Sequence, residues 1–195
     1  MIFEGREVII KGSTSDKLII ALHGGLGNAA NLQAKLEPHL PDVMVAYANA
    51  DSSTVWKAGG KFGYSPSDLL YISGLIYHLL DNYTINEVYL LGHSNGGMMA
   101  YRSVNKIPYS FTGVIGISAT YFDDFTHQGK VLHIHGLSDL MVPVAGNADY
   151  GPLLPNVNLM PSGTKTVLLT GAGHNLDDIV ANVDLSKEIA GFVGL

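Results

Sequence analysis

Short apolar runs recur along the chain, separated by longer segments in which apolar positions return every three or four residues. The runs at 8–11, 18–22, 43–47, 112–117, 130–135 and 165–169 are rich in Val, Ile and Leu and are predicted as strands, as is the run that leads into Leu91. The unbroken apolar character of 18–22 and 43–47 predicts strands covered on both faces. Between the runs, 29–36, 69–81, 97–104 and 177–193 carry helical periodicity; Leu69, Ile72, Ile76 and Leu79 or Leu80 mark one face of the second, with Ser67 and Asp68 as its cap. Strand and helix alternate from residue 18 onward, which predicts an α/β fold: a mostly parallel central sheet with helices on both faces. At 195 residues without internal repeats, the chain is expected to form a single domain over 1–195.

One strand-to-helix junction carries chemistry. Gly92-His93-Ser94-Asn95-Gly96 follows the apolar run ending at Leu91 and opens a helical segment. A G-x-S-x-G at such a junction reads as a nucleophile elbow, in which a sharp turn lifts the serine hydroxyl clear of the sheet. The pentapeptide alone is weak evidence, since short motifs arise by chance. A second glycine-rich turn, His23-Gly24-Gly25-Leu26-Gly27-Asn28, follows the run at 18–22. It has neither G-K-[ST] nor the dinucleotide-binding spacing, so a phosphate loop is disfavoured. With a nucleophile elbow, the equivalent loop donates one backbone N–H to an oxyanion, and Gly25 is the candidate donor, a structural tight turn being the alternative. The second donor would be the N–H of Asn95, at a helix start whose dipole favours negative charge.

A serine hydroxyl needs a base, and the base needs an orienting acid. In this architecture they follow in the order Ser, acid, His, which leaves His127, His133, His135 and His174. His133 and His135 fall inside a predicted strand and read as packed or turn-shaping residues, whereas His174 stands in the last strand-to-helix loop between Gly171 and Gly173. His174 is the candidate base. Asp139 is the candidate acid, one short turn past a strand and just before Val142-Pro143; Asp149 is its alternative, and Asp123-Asp124 reads as a solvated pair or a cap. His78, inside a predicted helix with no acid beside it, reads as a surface or packing residue. The connection 48–66 is long enough to border the site, with Trp56 or Tyr64 touching substrate or an aromatic pinning the loop to the core. Only a short interval, 118–129, separates two strands where many esterases insert a lid, so no large lid is expected.

Composition narrows the partners. Eleven Lys+Arg against 17 Asp+Glu give a net charge of −6 without a basic run, which argues against nucleic acid and against an anionic membrane. The absence of cysteine excludes disulfides, thiolate metal sites and a cysteine nucleophile. No metal or cofactor is expected, and the oligomeric state is unassigned. The N-terminal residues lack the apolar stretch of a signal peptide, so a cytoplasmic location is expected, with secretion left open.

With these residues assembled, the chain resembles the lidless α/β-hydrolases, and more narrowly the polyhydroxybutyrate depolymerase and feruloyl esterase group. The resemblance spans about residues 18–193 and is carried by Leu22-His23-Gly24-Gly25, by Gly92-His93-Ser94-Asn95-Gly96-Gly97-Met98-Met99-Ala100-Tyr101-Arg102, and by Leu132-His133-Ile134-His135-Gly136 with Asp139 and Val142-Pro143. It implies Ser94 as nucleophile, Asp139 as acid, His174 as base, and the amides of Gly25 and Asn95 as oxyanion hole. Two features depart from the group. No cysteine pair lies near 59–63, and Asn175-Leu176-Asp177-Asp178 stands where a Trp-Pro-Gly-like sequence follows the base. The expected activity is hydrolysis of carboxylic esters, small or polymeric; a carbohydrate O-acetyl esterase and a non-catalytic binding protein on the same fold are the alternatives.

Overall fold

The run at 18–22 becomes β3 (Lys17–Leu22), which sits deep in an eight-stranded sheet because nothing from Leu18 to Leu22 is polar enough to face water. The computed structural model describes residues 1–12, 14–51, 54–122, 125–147 and 160–195. The other strands are β1 (Ile2–Phe3), β2 (Arg6–Lys11), β4 (Met44–Ala48), β5 (Glu87–His93), β6 (Gly113–Ile117), β7 (Lys130–Gly136) and β8 (Lys165–Leu169). Their order is β1-β2-β4-β3-β5-β6-β7-β8, antiparallel at the β1–β2 and β2–β4 pairs and parallel from β4 to β8.

Alternation along β3 divides the core in two. Leu18, Ile20 and Leu22 face one side, where they meet α2 (Pro66–Asn82) and α3 (Asn95–Lys106). Ile19 and Ala21 face the other, against α1 (Ala29–Leu36), α4 (Leu176–Asn182) and α5 (Leu185–Val193). Each such Leu or Ile, fully buried, contributes about 1.5–3 kcal/mol. The expected class is therefore observed: helices cover both faces, and the described residues between β6 and β7, 118–122 and 125–129, hold no helix that could serve as a lid.

Local chemistry sets the helix ends. The Asn28 side chain accepts the N–H of Asn31 to start α1. The second helix begins earlier than the expected 69, because Pro66 sits in its first turn and Ser65 caps it. Asp68 is consequently not a cap. It is buried, bonded to the Arg6 guanidinium at 2.7 Å and to the Lys57 N–H at 2.8 Å, and so ties β2 and the long connection to α2. The single helix expected over 177–193 is two helices: Val183 is extended, and the Asp184 carboxylate accepts the Lys187 N–H to start α5 afresh.

The sheet order positions the site. After β3 the chain turns to α1 on one face, and after the neighbouring β5 it turns to α3 on the opposite face. The carboxyl ends of β3 and β5 thus flank a crevice where the chain direction splits, the usual place for ligands in open α/β sheets.

Candidate active site

At that crevice Ser94 has φ 53° and ψ −123°, in the left-handed region that costs a non-glycine residue roughly 1–3 kcal/mol. Its neighbours make the turn possible. A Cβ on Gly96 would lie 2.2 Å from the carbonyl oxygen of Leu22 and 2.4 Å from that of His23, and one on Gly92 would lie 2.3 Å from the backbone of Gly96. Backbone oxygens of a central strand cannot step aside. We expect Gly96→Ala to be destabilised by about 1–3 kcal/mol, read from denaturant unfolding, because the overpacking has no flexible side chain to absorb it.

The Ser94 hydroxyl does not cap its own helix; it lies 2.9 Å from Nε2 of His174. The other ring nitrogen, Nδ1, lies 2.7 Å from Oδ2 of Asp139. A carboxylate only accepts, so Nδ1 carries the proton and Nε2 is left to accept from the serine O–H. Asp139 is buried, and its Oδ1 accepts the N–H groups of Met141 and Val142 at 2.9 and 2.8 Å. Burial pushes the Asp139 carboxyl up, but hydrogen bonds from His135, His174 and Val142 outweigh it and hold the group well below the usual carboxylate range. The loops carrying Asp139 and His174 pack backbone to backbone: the Ser138 N–H bonds the carbonyl of Ala172 at 2.9 Å, and a Cβ on Gly136 would meet that same oxygen at 2.3 Å. The alternative acid, Asp149, and the Asp123-Asp124 pair lie outside the described residues.

Gly25 comes within van der Waals reach of Asn95, a Cβ built on it lying 3.8 Å from the Asn95 Cβ. Among the described residues, no acceptor takes the backbone N–H of Gly25 or of Asn95. The Asn95 side chain has a separate task, one that sequence reading did not reveal. Fully buried, its Oδ1 accepts the Trp56 N–H at 2.8 Å while its Nδ2 donates to the Trp56 carbonyl at 3.0 Å, locking the connection after β4 against the start of α3.

Trp56 itself is 0% exposed, which corrects the expectation that it touches substrate. Its indole N–H bonds the His23 carbonyl at 3.0 Å, and His23 in turn accepts the Ala50 N–H, so Trp56 is the pin between the connection and the glycine loop. Tyr64 is exposed, and its ring lies against the Arg102 guanidinium at 4.9 Å, on α3 about two turns beyond Ser94. His133 and His135 are buried in β7, as expected of packed residues, and His135 reaches Asp139. His93, inside the motif, donates from Nε2 to the His174 carbonyl at 2.8 Å and so helps set the backbone of that loop.

These buried imidazoles make stability pH-dependent. Burial lowers His23, brings His93 down to about 4 against an opposing bond to the His174 carbonyl, and brings His133 down to about 3 with help from His135. Each folded-state value lies below the unfolded value near 6.5, so the unfolded chain takes up protons first as pH falls. Stability should drop below about pH 6.5 by up to about 1.4 kcal/mol per pH unit per group. A lower Tm at pH 5 than at pH 7 is the expected result, and equal values would contradict it. Asp139 acts in a lower window: its depressed value leaves its contribution intact above about pH 4, to be lost below.

Among the solved structures that share the fold are esterase PE8 (21% identity, 94% of this chain and 98% of that one, TM-score 0.64), a phospholipase/carboxylesterase from Dyadobacter fermentans (19%, 97% and 98%, 0.68), and YahD with malic acid (15%, 96% and 99%, 0.69). No curated protein matches the sequence. Residues 67–180 match the phospholipase/carboxylesterase family model. The matched segment is more than half of the chain and contains Ser94, Asp139 and His174, so the chain belongs to the phospholipase/carboxylesterase family of α/β-hydrolases.

Proposed function

We propose that this protein is a serine carboxylesterase in which Ser94, His174 and Asp139 form the catalytic triad. The hydrogen-bonded line from Ser94 Oγ through both nitrogens of His174 to Asp139 carries the proposal. Ser94 Oγ attacks the ester carbonyl carbon while its proton passes to Nε2 of His174. The resulting oxyanion accepts the free N–H groups of Gly25 and Asn95, each such donor contributing about 3 kcal/mol to the transition state. His174 returns the proton to the departing alcohol, leaving an acyl-serine; water, deprotonated by His174, then releases the acid and restores the hydroxyl. Asp139 keeps Nδ1 protonated and stabilises the imidazolium throughout.

The loops on either side of Ser94 favour an apolar acyl group. Leu26, in the glycine loop after β3, is 85% exposed, and Leu140, in the acid loop after β7, is 90% exposed beside an exposed Met141. Esters of short-chain, hydroxyalkanoate or feruloyl type are the proposed substrates. A panel of p-nitrophenyl acetate and butyrate, methyl ferulate, a hydroxybutyrate oligomer and an acetylated sugar tests this. Preferential turnover of one of the first four is expected. Preference for the acetylated sugar would replace the substrate reading with a carbohydrate deacetylase, and no turnover by folded protein would favour a binding role.

A further inference from the structure

A second line of polar side chains ends on the carboxylate oxygen that His174 uses. His135 Nε2 lies 3.2 Å from Asp139 Oδ2 and 2.7 Å from the Val142 carbonyl. His135 Nδ1 lies 2.9 Å from His133 Nε2, and His133 Nδ1 lies 2.7 Å from the Tyr101 hydroxyl. All three side chains are buried. Positions 133 and 135 share a face of β7, as residues two apart on a strand must. Tyr101 reaches them from α3 across Gly116, the residue of β6 paired with His133; a Cβ there would fall 2.1 Å from the tyrosine oxygen. Gly116 is thus explained by the passage of Tyr101.

Only one proton arrangement satisfies every atom. The Val142 carbonyl can only accept, so His135 Nε2 carries a hydrogen. With His135 neutral, its Nδ1 accepts from His133 Nε2, and His133 Nδ1 accepts from the Tyr101 O–H. Charging His135 would reverse the line and leave the buried Tyr101 hydroxyl hydrogen without an acceptor among the described residues. Aliphatic side chains at 133 and 135 would fill β7 without needing partners, so two buried imidazoles call for a use beyond packing.

We propose that Tyr101, His133 and His135 are positioning residues: the tyrosine and His133 fix the tautomer of His135, whose one permanent N–H, donated to the Val142 carbonyl at 2.7 Å and shared with Asp139 Oδ2 at 3.2 Å, keeps that oxygen turned to His174. The Met141 and Val142 amides hold Oδ1, and the His135 N–H supplies the second restraint that stops the carboxylate from pivoting. This inference rests on Ser94, His174 and Asp139 being the triad.

The test combines kinetics with nitrogen NMR. In His135→Phe we expect kcat to fall roughly 10- to 100-fold, the scale of a small misplacement of a catalytic group, with KM within about twofold. His135→Gln, whose amide N–H can reach the same point, should recover most of the loss. Long-range proton–nitrogen spectra of the wild type should show His133 and His135 neutral and protonated on Nε2 at pH 7. A folded His135→Phe enzyme with unchanged kcat, or a Gln variant no better than Phe, would overturn the positioning line. So would a His135 found protonated on Nδ1. If the Phe variant does not fold, Tyr101→Phe keeps the ring and should lower kcat in the same direction, and an unchanged kcat there counts against the line. Loss of wild-type turnover in Ser94→Ala tests the triad separately; if the wild type turns over no ester, that reading falls and this one with it.

Discussion

Replacing Ser94 with alanine is expected to lower kcat by about 10⁵- to 10⁶-fold, the scale found when a serine nucleophile is removed from a triad, with the residue of activity coming from the oxyanion amides and substrate binding. His174 would keep its bond to Asp139 but lose the hydroxyl it lies 2.9 Å from, so an intact base would have no proton to take. A phosphonate that labels wild-type protein on Ser94 should give no adduct with the variant, and that labelling guards against traces of wild type in the rate assay. The same position should reveal a conflict between stability and function. Because Ser94 sits at φ 53°, Ser94→Gly should be more stable than Ser94→Ala by about 1 kcal/mol or more while being equally inactive. Equal stabilities would mean that the turn stores no strain.

Asp139→Asn should cost about 10⁴-fold in kcat without unfolding the protein. The surroundings determine which way the amide turns. Met141 and Val142 present N–H groups to the position of Oδ1, so the asparagine oxygen stays there and its NH2 takes the place of Oδ2. That NH2 then faces His174 Nδ1 and forces the proton onto Nε2, where the base must be empty to accept from Ser94. It also stands beside the His135 N–H, which loses its second acceptor and keeps only the Val142 carbonyl. A pH–rate profile measured with p-nitrophenyl butyrate should show the loss persisting across the neutral range, and activity within tenfold of wild type would remove Asp139 from the acid's role.

Much of this was legible in the chain. Strand positions follow from apolar runs that only a doubly covered sheet accommodates, and the two-sided core follows from alternation in β3. The candidate nucleophile, base and acid could be ordered because a strand-to-helix elbow, a glycine-flanked loop histidine and an aspartate before Val142-Pro143 are local signatures, each set by what its own backbone can do. The start of α2 differs from the expected one for an equally local reason, since Pro66 and Ser65 outcompete Ser67 and Asp68 as the cap.

What sequence could not yield depends on neighbours far along the chain. Trp56 looks like any loop aromatic until His23 takes its indole N–H and Asn95 takes its backbone. Asp68 is a good cap until Arg6, 62 residues away, reaches it. His133 and His135 read as packed residues, and they are, but Tyr101 at one end and Val142 with Asp139 at the other decide which nitrogen holds each proton. Periodicity and turn chemistry act within a few residues, so the sequence by itself determined the elements, their faces and the order of the reactive groups. Burial and hydrogen-bond pairing are settled only when strands meet, and those decided which side chains hold the site in shape.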